Sequence, residues 1–219
     1  MQARRNLLVA LKEVATTSGP VLGIAVGQPI EAALRPVATH RERLCTSDIV
    51  RLTDWRNRFV KSFLTEFTAT YEQTANWLID VVGPTDTRII FMVEDTFGTV
   101  FGYMGLAFID WHEGTFEVDG VVRGTDGSRG LMSKALRTMI AWANVQLGLR
   151  EARVRVRSDN AAQAFYLRLG FREIRRIPLY RIEVPGVVSW TEDPAAPPDN
   201  PHLIHMTLIQ SDLDVWLVI

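Results

Sequence analysis

The chain has 219 residues, of which 47% are hydrophobic and 22% are charged, enough to bury one well-formed core but short for two full domains. Its formal net charge is −1, so no overall charge attracts it to nucleic acid or to an anionic membrane, and we predict neither as a partner. The single cysteine, Cys45, excludes an internal disulfide and a cysteine-based metal cluster. We therefore predict a cytoplasmic protein without a metal site.

Residues 1–45 are predicted to form an N-terminal extension. The start MQARRNLLVAL combines two arginines with an apolar run, as a signal peptide does, but Lys12 and Glu13 interrupt that run after only five residues. Such a run is too short for a signal peptide or a membrane span. We expect instead a short helix, a segment with Gly and Pro, and a basic connector, which pack on the main domain or on a second copy of the chain. A homodimer is therefore a candidate assembly.

From Thr46 to residue 219 the chain predicts one domain of alternating helices and strands. Apolar residues at helical spacing predict two helices, in TSDIVRLTDWRNRFVKSFL and YEQTANWLIDVV. Runs rich in Val, Ile and Phe then predict an antiparallel meander of three strands, in RIIFMVE, TVFGYMGLAFID and TFEVDGVV. A long amphipathic helix ending at Gly148, the strand ARVRVRS, a short helix and the strand FREIRRIPLYRIEV complete the order ααβββαβαβ. The later run HLIHMTLI is predicted to pair with the sheet or with another subunit.

The turn between the meander and the long helix is a candidate anion site. It contains three glycines and two arginines, namely Gly124, Gly127, Gly130, Arg123 and Arg129. The amides of residues 128–132 lie at a helix N-terminus, where several N–H groups lack partners and the helix dipole is positive. Glycine lets a phosphate approach the backbone closely. The alternative is a solvent-exposed glycine turn with incidental arginines.

At this turn the chain resembles the GNAT superfamily, the acetyl-CoA-dependent N-acyltransferases, over about residues 46–179. The segment VRGTDGSRGLM is similar to the family loop V-x-P-x-x-[RQ]-G-x-G-x-[GA]. Val122 and Gly130 match, whereas Gly124, Gly127, Ser128 and Met132 depart from the pattern. The resemblance implies a mixed α/β (α+β) fold with a mostly antiparallel central sheet flanked by helices. It also implies that the loop binds the pyrophosphate of CoA through the residues Val122, Arg123, Gly124, Gly127, Ser128, Arg129, Gly130, Leu131 and Met132.

A second segment, SDNAAQAFYLRLGF, resembles the family motif N-x-x-A-x-x-[LFY]-Y-x-x-x-G-F. The asparagine position falls on Asp159, so Asn160 sits one residue late. The resemblance implies that Asn160 or Asp159 lies near the pantetheine arm of CoA, and that Tyr166 is the general acid for the departing thiolate. A phenol with a pKa of about 10 is protonated at neutral pH and can supply that proton. The alternative is that Tyr166 is a core aromatic residue.

Acetylation of an amine also needs a base, because an ammonium group cannot attack a thioester. Glu117 and Asp119 are two apart on one predicted strand, hence on one face, just before the cofactor loop. Glu117 falls where some GNAT relatives carry a catalytic glutamate, and it ranks first. The alternative is that both carboxylates lie on a solvated sheet edge. His112 and His205 are weaker candidates for the base.

The acceptor has the faintest signal in the sequence. Trp55, in WRN, and Trp77 make the first helices similar to GNAT enzymes that acetylate amino groups of nucleotide-linked sugars, although helix packing is the favoured role of both tryptophans. The resemblance implies an N-acetyltransferase that moves an acetyl group from acetyl-CoA to a primary amine of a small molecule such as an amino sugar. The alternatives are an acyl-CoA-binding regulatory module without turnover and a protein N-terminal acetyltransferase.

Overall fold

The computed structural model describes residues 1–15, 23–127 and 129–209. The helices are α1 (Gln2–Val14), α2 (Thr46–Arg58), α3 (Tyr71–Trp77), α4 (Leu131–Trp142) and α5 (Ala162–Arg168). The strands are β1 (Ile24–Val26), β2 (Ala32–Pro36), β3 (Thr65–Glu66), β4 (Ile89–Asp95), β5 (Val100–Asp110), β6 (Thr115–Arg123), β7 (Glu151–Arg157), β8 (Arg172–Val184), β9 (Val187–Glu192) and β10 (His202–Ile209). No helix in these ranges is long and apolar enough to cross a membrane.

One sheet runs through the described chain, with the strands in the order β1-β2-β4-β5-β6-β7-β10-β8-β9-β3. The neighbouring strands are antiparallel except for β6 and β7, which are parallel. The predicted mixed fold with a mostly antiparallel sheet flanked by helices is therefore confirmed. The run HLIHMTLI forms β10, which pairs with β7 and β8 of the same chain. Of the two predicted alternatives, it therefore pairs with the sheet and not with another subunit.

Local sequence explains how the helices begin and end. A capping box starts α3, in which Thr70 and Gln73 each accept a hydrogen bond from the other's backbone amide. Both α3 and α4 continue into a π-helical turn, over Leu78–Val82 and Ala143–Leu147. The turn after α4 ends at Gly148 with φ of +69°, which confirms the predicted C-cap, because this left-handed conformation suits glycine.

The sheet separates two apolar cores. Helix α4 buries its stripe, including Leu131, Leu136 and Met139, against one face together with α1. Helices α2 and α3 cover the other face through buried residues such as Ile49 and Leu78. Burial of these side chains on both faces stabilises the sheet and fixes which strand residues point toward each helix layer.

Residues before Thr46 take part in the same sheet. Strand β2 pairs with β4 along its length, and buried Arg35 donates to both carboxylate oxygens of Asp48 on α2 at 2.8 and 2.9 Å. Helix α1 is attached by Lys12, which is 1% exposed and donates to the carbonyl oxygens of Val82 and Gly83 at 2.8 and 3.1 Å. The predicted extension therefore contributes the helix α1 and the strands β1 and β2 to the fold.

Candidate active site

A splay between two parallel strands creates the site. Strands β6 and β7 pair only over Thr115–Glu117 and Glu151–Arg153, and the described ladder ends there. On its other side β6 has a bulge against β5, because Asp119 pairs with Gly105 whereas Val122 pairs with Tyr103. An extra residue of this kind bends a strand and increases its twist. The two strands therefore diverge and open a cavity of about 890 Å³ between them.

The cavity has a floor made of strands and a roof made of helices. Strand β6 contributes Glu117–Arg123 to the floor, and β7 contributes Val154–Arg157. The roof is formed by α2, by α3 and by the segment between them, through residues that include Leu52, Arg56, Phe63, Phe67 and Trp77. A largely apolar enclosure with a few polar groups is typical of a binding site for a small molecule.

The two carboxylates of β6 lie in different environments. Glu117 forms a tight ion pair with Arg155, whose Nε lies 2.8 Å from Oε1 and whose Nη2 donates to Oε2 at 3.0 Å. Asp119 forms a longer ion pair, with Arg88 at 3.8 Å. Its side chain faces the open cavity and is 43% exposed, yet the surrounding protein removes enough water that desolvation raises its pKa, against the opposing charges of Arg88 and Arg155. Of the two predicted bases, Asp119 therefore has the carboxylate that is less engaged in an ion pair with arginine.

Tyr166 is both a core residue and a cavity residue. It is 6% exposed and makes edge-on contacts with Phe165 and Phe171, with ring centroids 5.4 and 5.6 Å apart. It also lines the cavity. Burial, with a smaller contribution from the charge of Asp119, raises the pKa of its phenol above the ordinary value of 10.0. The hydroxyl therefore holds its proton at neutral pH.

Two of the loop glycines make room for the protein's own aromatic rings. A Cβ atom added to Gly124 would lie 1.8 Å from the ring of Trp55, and one added to Gly127 would lie 2.3 Å from the ring of Phe101. Gly130 differs, because an added Cβ would meet no atom within 4 Å while its φ of +86° is the left-handed conformation that favours glycine. It forms the N-cap of α4.

The remaining predicted loop residues divide between core and surface. Leu131 and Met132 bury their side chains in the α4 core, so the bulk of Met132 points away from the start of the helix. Val122 is buried on the cavity wall, and Arg123 pairs with Asp126 at 2.8 Å. Arg129 is exposed. Ser128 lies outside the described residues.

Asn160 lines the cavity and lies just before the helix that carries Tyr166. Its side-chain oxygen accepts a hydrogen bond from the amide of Ala162 at 2.9 Å. Asp159 instead pairs with Arg157 at 2.6 Å. Trp55 is 3% exposed and stacks on Tyr103 with centroids 6.2 Å apart, which confirms its predicted packing role.

A polar cluster around buried Glu66, which the sequence did not indicate, connects the roof to the sheet. Glu66 of β3 accepts hydrogen bonds from Lys61 at 2.7 Å, from the indole of Trp190 at 2.7 Å and from Arg157 at 3.0 Å. Although desolvation opposes it, these three donors lower the pKa of Glu66 to about 2. Glu66 lies 91 residues from Arg157 and 124 residues from Trp190 in the sequence, so no local pattern could reveal the cluster.

The two histidine candidates lie outside the cavity wall. His112 is exposed and bonds to Glu113 at 2.7 Å. His205 on β10 bonds to Glu192 at 2.6 Å, which agrees with a role on the surface of the sheet.

A family model described as an acetyltransferase (GNAT) domain matches residues 33–172. A search of curated proteins finds no match. Among solved structures, a probable GNAT-family acetyltransferase from Chromobacterium violaceum ATCC 12472 aligns with a TM-score of 0.65 and 16% identity, covering 91% of this chain and 92% of the other.

Two further solved structures illustrate the range of similar proteins. A nucleotide-linked sugar GNAT in its apo form aligns with a TM-score of 0.65 and 11% identity, covering 91% of this chain and 96% of its own. A spermidine N-acetyltransferase from Vibrio cholerae, in complex with CoA and spermine, aligns with a TM-score of 0.62 and 15% identity. The alignment covers 84% of this chain and 98% of the other. At these identities the similarity concerns the fold.

Proposed function

The chain belongs to the GNAT acetyltransferase family, and from that premise we propose that it transfers an acetyl group from acetyl-CoA to a primary amine of a small molecule. The observation that carries the proposal is the cavity between the splayed strands β6 and β7, which brings Asp119 and Tyr166 into one enclosure. A carboxylate and a phenol are the acid–base groups that this reaction needs.

We assign CoA to the end of the cavity that leads to α4. Free amides at the start of α4 favour a pyrophosphate there, with the positive helix dipole behind them. The loop residues from Val122 to Met132 would surround the phosphates, and Arg123 and Arg129 would add positive charge. The pantetheine arm would follow the gap between β6 and β7, past Asn160, and place the thioester near Tyr166.

The reaction needs a proton acceptor for the incoming amine. We propose that Asp119, directly or through one water molecule, takes a proton from the ammonium group so that the nitrogen lone pair can attack the thioester carbonyl. Desolvation raises the pKa of Asp119 and so makes its carboxylate a stronger base than an exposed aspartate. Glu117, the candidate that the family resemblance ranks first, would serve mainly to hold Arg155.

The departing sulfur needs a proton donor. As the new C–N bond forms and the C–S bond breaks, Tyr166 would donate a hydrogen bond to the developing thiolate and pass its proton to it. The raised pKa of the phenol keeps that proton in place until the sulfur becomes basic. The nitrogen loses its second proton to solvent as the amide forms. Asp119 then releases its proton to solvent, and solvent returns one proton to the tyrosine when CoA leaves.

The cavity also favours turnover over a silent CoA-binding module. The departure at Met132 motivated that alternative, but the Met132 side chain is buried in the α4 core and leaves the helix start open. An amino sugar fits a cavity of about 890 Å³ that has polar groups on an apolar wall. A nucleotide-linked sugar GNAT and spermidine N-acetyltransferases share the fold, so both kinds of amine belong in the test.

A thiol-release assay tests the proposal. The protein is mixed with acetyl-CoA and a panel of amino sugars, amino acids, polyamines and peptides, and free CoA is followed. With the best acceptor we expect Asp119→Asn to lower kcat by about 10²-fold or more, as for loss of a positioned base. The matched variant Glu117→Gln should lower it by less than about 10-fold, since Glu117 already neutralises Arg155.

The panel also separates the alternatives. CoA binding without thiol release on any acceptor would favour the silent module. Preference for a peptide amino terminus would favour the protein N-terminal branch. An equal loss in both carboxylate variants would reject the assignment of Asp119 alone.

A further inference from the structure

Arginines dominate the charge of the cavity wall. Five line it, and four of them have a carboxylate within 4.0 Å, in the pairs Arg88–Asp119, Arg123–Asp126, Arg155–Glu117 and Arg157–Glu66. Arg56 is the fifth. No carboxylate of the described chain lies within ion-pair distance of it, so its positive charge is the one on this wall that the protein itself leaves unmatched.

Two phenylalanine rings, rather than an acid, hold Arg56 in place. Its guanidinium carbon lies 4.1 Å from the ring centroid of Phe63 and 4.7 Å from that of Phe67. Nη2 donates to the backbone carbonyl of Thr65. Nη1 is buried and has no hydrogen-bond partner in the described chain. The rings fix the orientation of the guanidinium plane and leave one nitrogen unsatisfied on the roof.

A buried cationic donor without a partner is unfavourable, so such a group in a folded protein calls for an explanation. Desolvation lowers the pKa of Arg56, but a guanidinium stays charged at neutral pH. Contact with aromatic rings compensates only weakly for the missing hydrogen bond. Arginine attracts carboxylates and phosphates, and Arg56 lines the cavity, so its unmatched charge favours an oxyanion there.

The acceptor is the component of the reaction that can bring an anion to Arg56. In the proposed function the phosphates of CoA lie at the start of α4, and the pantetheine arm that reaches the thioester carries no charge. The nearest acid on the roof, Glu66, already accepts from Lys61, Trp190 and Arg157. The acceptor is therefore the one component of the reaction that is free to bring a negative group to Arg56.

We propose that the acceptor is an amine that also carries an anionic group, a carboxylate or a phosphate, and that the positive charge of Arg56 on the cavity wall attracts this group while the amine faces Asp119. The inference rests on the proposed function and narrows it to a substrate class. Polyamines, which carry only positive charge, would meet a cationic roof and should be poor acceptors.

The test uses two pairs of amines that differ in one anionic group. Glucosamine 6-phosphate is compared with glucosamine, and 4-aminobutyrate with 1-aminobutane, so the two pairs distinguish phosphate from carboxylate. We expect kcat/KM to favour the anionic member of at least one pair by roughly 10–100-fold, the range for a hydrogen bond to a charged group. Arg56→Met keeps the side-chain length and can fill the space between the rings. It should reduce that preference to about 1 without changing the KM for acetyl-CoA.

Two control variants separate binding from folding. Arg56→Lys keeps the charge and should retain part of the preference, which a merely structural role would not require. Arg181→Met removes an exposed arginine of β8, paired with Glu183, and should leave the preference unchanged. Equal use of both members of each pair, better use of spermidine, or an unchanged preference in Arg56→Met would overturn the inference.

If no amine is acetylated, the proposed function fails. The role of Arg56 is then tested separately, by calorimetric measurement of the affinity of the CoA-loaded protein for the same four amines. Tighter binding of an anionic amine that is lost in Arg56→Met would support it. Equal affinity within each pair would overturn it.

Discussion

The loop of residues 124–130, which follows the cavity residue Arg123, and the roof segment of residues 59–70, which lines the cavity, are built by opposite means. The loop carries a recognisable motif, yet its side chains are mostly exposed and two of its glycines accommodate rings of the protein itself. The roof carries no motif. It is held by the ion pair of buried Glu66 with Arg157 and by the packing of Phe63 and Phe67 on Arg56. Backbone amides suffice to bind a phosphate, whereas selecting an acceptor requires side chains that only the folded chain brings together.

Tyr166 gives the strongest test, because it lines the cavity that the roof covers and belongs to neither the loop nor the roof. Tyr166→Phe keeps the ring and removes the proton donor, so kcat should fall by about 10²–10⁴-fold, the range for a positioned general acid. Neither CoA affinity nor acceptor affinity should change greatly, since neither the loop nor the roof is altered. Steady-state kinetics and calorimetry measure the three quantities.

A wild-type rate in this variant would make Tyr166 a packing residue. Loss of CoA binding would instead show that the ring, rather than the hydroxyl, supports the cofactor site. A thermal unfolding curve controls for the core contacts that Tyr166 makes with Phe165 and Phe171.

Breaking the roof cluster should show how far the acceptor side depends on buried charge. Glu66→Gln removes the charge that Lys61 and Arg157 share and should lower the free energy of unfolding by about 2–3 kcal/mol. For a chain of this size that corresponds to a fall in Tm of about 4–12 °C. We expect the KM for the acceptor to rise more than the KM for acetyl-CoA.

The control is Glu183→Gln, which removes an exposed partner of Arg181. It should change the free energy of unfolding by less than about 0.5 kcal/mol, as surface ion pairs usually do. Similar losses from the two variants would contradict a special role for the buried cluster.

Acid should weaken the roof cluster in a defined pH window. The pKa of Glu66 is about 2 in the folded protein and 4.5 in its ordinary state. As the pH falls below 4.5, the unfolded chain takes up the proton first, so this contribution to stability is complete above pH 4.5 and is lost as the pH approaches 2. Urea unfolding at several pH values should show the difference between wild type and Glu66→Gln shrinking across that window. A constant difference would place the pKa elsewhere.

Substitutions of the loop glycines should have the smallest effects, and they distinguish a glycine that accommodates a ring of the protein from one that leaves space at the start of α4. Gly124→Ala would drive a Cβ into the buried ring of Trp55, so we expect a loss of stability of about 1–3 kcal/mol, the usual cost of overpacking. Gly130→Ala meets open space but must adopt a left-handed conformation, which costs about 1–2 kcal/mol.

The two variants should also differ in CoA affinity. Gly130→Ala should weaken CoA binding beyond its effect on stability, because the added methyl occupies space at the start of α4, whereas Gly124→Ala should not. Equal CoA affinity in the two folded variants would remove Gly130 from the proposed phosphate site.

The sequence predicted the elements whose signals are local. The stripe of α4, the alternating strands β4 to β6 and the C-cap at Gly148 follow from residues a few positions apart, where periodicity and backbone preference act directly. The two motifs indicated the family for the same reason, because a loop and a short helix are each read within about 15 residues. HLIHMTLI was recognisable as a strand, but its place between β7 and β8 was not.

Tertiary structure alone decided the chemistry of the side chains. Glu117 and Asp119 look equivalent in TFEVDG, and only contact with Arg155 separates them. Gly124 resembles a ligand-binding glycine until Trp55 is placed against it. The partners of Glu66 lie 91 and 124 residues away. The unmatched charge of Arg56 is recognised only when the carboxylate partners of the other four arginines on the cavity wall are known. Charge, burial and close approach depend on distances in space, and these distances are fixed only when the sheet brings remote segments together.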